Sequence, residues 1–227
     1  MKTMGAVILV VLVATGVGLA SNCPTTTYDQ YLGSGFSCTI TDKTFDNFTY
    51  SPSGTIILPP TSINVVPQTT MNNPGLLFNA PWSVAATQTE DSLIGFTVSA
   101  SSPLITDLSL IMIGSGFTGT GSVSVSETYC LGDTFADGCA KGTSGHLFVH
   151  DDSSGVKLTD SVTFAGVSVV DVEKDILLAG GDSGSAVLSG VMQLFSETPV
   201  PEPAELSLVG TGLAIMGAGL LRRKRSL

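Results

Sequence analysis

The chain has 227 residues, enough for one domain with a real core, and carries 9 basic against 19 acidic side chains, a net charge of −10. A surface this acidic is repelled by phosphate backbones and anionic lipid headgroups, which argues against nucleic-acid binding and peripheral membrane binding. The positive mean hydropathy of +0.40 owes much to two terminal apolar segments and does not call for further membrane spans.

Met1 and Lys2 form a short charged start, followed by an apolar run from Ala6 to Leu19. Gly18-Leu19-Ala20 then supplies small residues where signal peptidase reads, so residues 1–20 are expected to be a cleaved secretory signal. Cys23 follows closely, but a lipoprotein signal needs a small residue directly before the cysteine, and Asn22 stands there. The secreted body is then expected over residues 21–198. With the termini set aside, it holds four basic and seventeen acidic side chains, a net charge of −13.

The body is rich in Ser, Thr, Gly and Val, with turn clusters about every eight to twelve residues. Strands are expected at Phe45–Tyr50, Thr55–Leu58, Ser62–Val66, Gly75–Phe78, Ser92–Ser99 and Leu104–Ile113. They continue at Gly121–Tyr129, His146–Val149, Asp160–Phe164, Val167–Ala179 and Ala186–Phe195. Val123 and Val125 alternating with Ser122, Ser124 and Ser126 mark a strand with one dry and one wet face. The expected fold class is all-β, an antiparallel two-sheet sandwich with a jelly-roll-like path as one option, flanked by a signal helix and a C-terminal transmembrane helix.

Candidate sites follow in chain order. Tyr28, Tyr31, Phe36, Phe45, Phe48, Tyr50 and the lone Trp82 would stack on sugar rings if exposed, and core packing if not. Strict alternation puts Phe48 and Tyr50 on one face with Asp46, an arrangement compatible with a wet face. The four cysteines, Cys23, Cys38, Cys130 and Cys139, are an even number in an exported chain. Three pairings exist, and Cys23–Cys38 with Cys130–Cys139 is favoured because each closes a short local loop. Zinc is disfavoured because no C-x-x-C spacing occurs. His146 and His150 lie in a strand pattern, where they would share a face roughly 13 Å apart, too far for one ion. Asp171, Glu173 and Asp175 alternate onto one face, read as solvated, with calcium as the sharper alternative. Gly181-Asp182-Ser183-Gly184-Ser185 is similar to the nucleophile loop of trypsin-like serine proteases. Its histidines lie only 33 and 37 residues upstream, so a turn is the expected reading. No catalytic residue, metal or cofactor is therefore expected.

The chain ends with Pro201-Glu202-Pro203, an apolar run from Ala204 to Leu221, and Arg222-Arg223-Lys224-Arg225. Eighteen helical residues span roughly 27 Å, enough to cross a thin hydrocarbon core, and the basic end acts as a cytoplasmic stop. In composition and order this tail, residues 199–227, resembles a PEP-CTERM sorting domain. The resemblance covers only about the last 27 residues and implies an address, not an activity. It implies processing near Pro201, Glu202 and Pro203 by an exosortase, a membrane cysteine transpeptidase, after transient anchoring in the cytoplasmic membrane of a Gram-negative, exopolysaccharide-making bacterium. Taken together, the sequence points to an exported, non-catalytic envelope or extracellular-matrix protein. Exosortase and the membrane are its expected partners, and exopolysaccharide is an optional one. The alternatives are a carbohydrate-binding surface module and, further off, a hydrolase at Ser183.

Overall fold

The computed structural model describes residues 21–69 and 73–197. The expected signal segment 1–20 and the sorting tail 199–227, with Pro201, Glu202, Pro203 and the basic cluster, lie outside those residues. Among the described residues no helix is long and apolar enough to cross a membrane.

The strands are β1 (Ser21–Asn22), β2 (Thr26–Thr27), β3 (Ser37–Ile40), β4 (Lys43–Gly54), β5 (Asn64–Gln68), β6 (Gly75–Val84), β7 (Thr89–Ala100) and β8 (Ile105–Ile113). They continue with β9 (Gly116–Thr118), β10 (Ser122–Leu131), β11 (Thr143–Asp152), β12 (Gly155–Lys157), β13 (Thr159–Val167), β14 (Val169–Ala179) and β15 (Ser185–Glu197). One sheet runs β1-β3-β4-β7-β14-β10-β11-β12, and the other runs β13-β8-β15-β6-β5-β2 with β9 also paired to β15. Pairing between strands is antiparallel except for the short β1–β3 pair. The chain passes repeatedly from one sheet to the other, so each sheet is built from segments distant in sequence.

Alternation explains why two sheets close on each other. In β14, Val170, Val172, Ile176 and Leu178 are buried, while Asp171, Glu173 and Asp175 point outward. β10 does the same with Val123 and Val125 against its serines. The inward side chains of both sheets form one apolar cluster. Phe96 of β7 lies at its centre, with ring centroids 5.7 Å from Phe48, 5.9 Å from Phe78, and 6.2 Å from both Phe45 and Phe195.

Two of the local expectations differ from the structure. Thr55–Leu58 is not a strand. Gly54, at φ 104°, turns the chain, only Ile56 makes an isolated bridge, and Pro59-Pro60 removes the donors a ladder would need. Phe48 and Tyr50 do not share a face with Asp46. A bulge between Asp46 and Thr49, with Asn47 at φ 54°, inserts a residue into β4 and turns both rings inward. The hydroxyl of Tyr28 donates to the carbonyl of Thr49 beside this bulge at 3.0 Å. The expected strands at the other positions are present, most of them longer than their apolar pattern.

Both favoured disulfides are formed. Cys23–Cys38 fastens the N-terminal segment to β3, and Cys130–Cys139 closes a loop at the end of β10.

The packing yields a measurable ranking. Phe96→Ala is expected to destabilise the domain by about 3–5 kcal/mol. Phe148→Ala, on the open face, is expected to cost no more than about 0.5 kcal/mol. Denaturant midpoints measure both, and equal shifts would contradict a core centred on Phe96.

Candidate functional site

The outward face of the larger sheet carries the polar side chains that the alternation expels from the core. Strand register sorts them into stripes. β14 contributes Asp171, Glu173 and Asp175, and β10 contributes Ser124, Ser126 and Thr128 beside them. β11 contributes His146, Phe148 and His150 at the far side.

The Cys130–Cys139 loop bends back over one end of this face. Phe135–Asp137 forms a single 3-10 turn, closed by Gly138 at φ 67°. Within the loop the Cys139 N–H donates to the Thr134 carbonyl, and at its exit the Lys141 N–H donates to Asp133 Oδ2, both at 2.9 Å. The Phe135 N–H donates to Asp171 Oδ2 at 2.8 Å, tying the loop to the sheet. Thr97 Oγ1 donates to Asp171 Oδ1 at 3.0 Å, and Asn47 Nδ2 donates to Thr97 Oγ1 at 3.2 Å.

Between loop and sheet lies a groove of about 400 Å³. Asn47, Thr97, Asp171 and Glu173 line its polar side, and Phe135 lines its apolar side. The bulge that buries Phe48 is also what aims Asn47 toward the groove. Gly95 keeps the floor low, since a Cβ there would stand 2.5 Å from Thr49 Oγ1. An amide, a hydroxyl and carboxylates beside one aromatic edge suit a neutral polyhydroxylated ligand.

The electrostatics of the face follow from crowding. Burial, then the Asp171 charge, raises the Asp46 carboxyl above its usual range. Asp175 is held up to about 6, by partial desolvation first and then by its hydrogen bond with Asp91 and the charges of Asp91 and Glu173.

The candidates named from sequence are distributed differently. Trp82, Tyr28, Tyr31, Phe45 and Phe48 are buried and cannot stack on a sugar, and the Trp82 indole N–H donates to Ser92 Oγ at 3.2 Å. His146 and His150 do lie on one strand face, with Phe148 between them. The Phe148 ring stacks on His150 at 5.4 Å, while His146 Nε2 meets Ser126 Oγ at 3.1 Å. Ser183 lies in the turn joining β14 to β15, after Gly181 at φ 60°. Its own N–H donates to Thr120 Oγ1, while the two imidazoles are engaged on β11. Asp171, Glu173 and Asp175 share the outer face as alternation requires. No cluster of three or more His, Cys, Asp or Glu among the described residues is arranged to hold a metal.

Thr97 and Phe135 are not singled out by the sequence, and Asn47 stands out there only as the first residue of the formal N-glycosylation triplet Asn47-Phe48-Thr49. The available signals were an Asp-Asn pair interrupting a strand pattern and a single aromatic inside the Cys130–Cys139 loop.

No family model matches the chain, and no curated protein matches it. Among solved structures, TmCBM61 in complex with β-1,4-galactotriose is similar at 9% identity and TM-score 0.31, covering 65% of this chain and 88% of that one. The enzymatically active domain of bacteriophage CBA120 tailspike protein 4 is similar at 12% identity and TM-score 0.28, covering 65% of this chain and 19% of that one. Both likenesses are too distant to carry an argument about what this chain binds.

The raised Asp175 carboxyl has a defined consequence for stability. Between its ordinary 3.8 and about 6 the folded state holds the proton more tightly than the unfolded chain. Its stabilising contribution is therefore full below that window and is lost as pH rises through about 6. Asp175→Asn is expected to flatten this part of the stability–pH curve. An unchanged slope in chemical denaturation across that window would contradict the assignment.

Proposed function

We propose that this chain is an exported, non-catalytic envelope or extracellular-matrix protein, delivered by its C-terminal tail and cleaved near Pro201-Glu202-Pro203. The observation that carries the reading is the pair of disulfides, Cys23–Cys38 and Cys130–Cys139. Such bonds persist in extracellular or periplasmic surroundings and are rare in the cytosol. The apolar run 204–221 and the basic stop 222–225 agree with that address, and exosortase is the partner the tail asks for. Ser183 fits this reading, since it sits in the β14–β15 turn with its N–H bonded to Thr120 Oγ1 while His146 and His150 are engaged on β11.

Mass and membrane partition of the protein from its producing host test the proposal, with Glu202→Ala alongside. The native chain is expected to lack Arg222–Arg225 and to leave the membrane fraction, while the variant keeps both its tail and its membrane association. Retention of the basic cluster by both proteins would overturn the sorting proposal.

The groove under the disulfide loop favours a second reading, a carbohydrate-binding surface, with exopolysaccharide as the natural ligand class. Asn47, Asp171 and Glu173 offer hydrogen-bond partners to ring hydroxyls, and Phe135 offers an apolar edge. Calorimetric titration with neutral oligosaccharides tests it. Phe135→Ala is expected to weaken binding about tenfold, equivalent to about 1.4 kcal/mol. Binding that is absent, or indifferent to Phe135, would remove this reading and leave the sorting proposal untouched.

A further inference from the structure

Among the buried polar side chains of the described residues, Glu127, Lys174 and Gln193 meet in the space between the sheets. Glu127 of β10 and Lys174 of β14 are register partners on adjacent strands and both point inward. Both side chains are fully buried, and Lys174 Nζ stands 2.8 Å from Glu127 Oε2. Gln193 of β15 enters from the opposite sheet, is equally buried, and brings its carboxamide within reach of the Glu127 carboxyl. The pocket is walled by aromatic rings, with Nζ 4.6 Å from the centroid of Phe96 and Phe195 packed beyond it.

As separate side chains this trio is poorly satisfied. The ammonium and carboxylate are close but not aligned as donor and acceptor. Neither oxygen of Glu127, nor Nζ of Lys174, nor either polar atom of Gln193 has a well-formed hydrogen bond. Unpaired buried polar groups cost about 1–3 kcal/mol each, and a buried ion pair rarely recovers its desolvation. A reaction that removes the charge and the spare N–H donors would resolve the conflict.

We propose that Lys174 and Gln193 condense into an intramolecular isopeptide bond joining the two sheets, with Glu127 as the proton carrier. Glu127 touches both reacting groups, which places it to move protons between them. Burial acts first on each ionisable partner, lowering the Lys174 ammonium and raising the Glu127 carboxyl, and both shifts favour passing the proton from Nζ to the carboxyl as the opening step. The Nζ lone pair attacks Gln193 Cδ while Glu127 protonates the carbonyl oxygen. Glu127 then takes a proton from Nζ and delivers it to Nε2. As the Cδ–Nε2 bond breaks and the carbonyl re-forms, the oxygen returns its proton to Glu127, the Nζ–Cδ bond remains, and ammonia leaves. No oxidant or reductant is needed. The product is a neutral amide whose single N–H faces the Glu127 carboxyl, which ends protonated as it began.

This inference is independent of the sorting and carbohydrate readings, since it concerns only the inter-sheet core. The test is the mass of the full mature chain from its producing host, with disulfides reduced, followed by a peptide map. The protein is expected to be lighter than its sequence by one ammonia. The map should contain a branched peptide joining the segments that carry Lys174 and Gln193. Glu127→Gln should restore the full mass and leave those segments separate. Should that variant fail to fold, Gln193→Glu serves instead, with water lost in place of ammonia. An unshifted wild-type mass with free Lys174 and Gln193 peptides would overturn the proposal. A loss of water with the branch at Glu127 would also overturn it, by naming a different acceptor.

Discussion

The structure depends on the meeting of two sheets around Phe96. Its ring packs against Phe45 and Phe48 of β4, Phe78 of β6 and Phe195 of β15. β4 and β7 belong to one sheet, β6 and β15 to the other. Burying an aromatic side chain stabilises more than any single ladder hydrogen bond, so this cluster decides which face of every neighbouring strand turns inward. Once the faces are set, period-two alternation dictates the rest of the side-chain distribution. The carboxylates of β14 and the serines of β10 have only the outer face left to them.

That constraint also explains the unusual features. The β4 bulge allows Phe48 to join the cluster without forcing Asp46 inside, and it leaves Asn47 on the surface where a regular strand would not. The Cys130–Cys139 loop, held by its disulfide and by the Phe135–Asp171 hydrogen bond, shelters one end of the polar face. A groove is the result. The inward positions of Glu127, Lys174 and Gln193 run against the apolar pattern of their own strands, which is why they are the most informative residues in the core.

Much of this was legible in the sequence. β10 is marked by alternation, as are the carboxylates of β14 and, less strictly, β15; β7 and β8 are marked by Ser- and Thr-containing apolar runs between turn clusters, and the pairing of the cysteines by short loop closure. Reading Gly181–Ser185 as a turn rested on glycine and aspartate chemistry and on the lack of room for a distant histidine. Other features were invisible for physical reasons. β1, β2, β9 and β12 have two or three residues each, too short for any period to show. The bulge at Asn47 shifts register by one residue, so alternation alone put Phe48 and Tyr50 on the wrong face. The groove joins residues 47, 97, 135 and 171, which only the strand order brings together. Lys174 reads as one more charge in an acidic strand until the opposite sheet is in place.

The central claim is that this sandwich forms outside the cytoplasm, with its cysteines paired. Thiol alkylation in intact producing cells, without reductant, tests it most directly against the same chain lacking residues 1–20. The account predicts that all four cysteines of the full chain resist labelling until reductant is added, while the shortened chain is labelled at once. Immediate labelling of the full chain would contradict it.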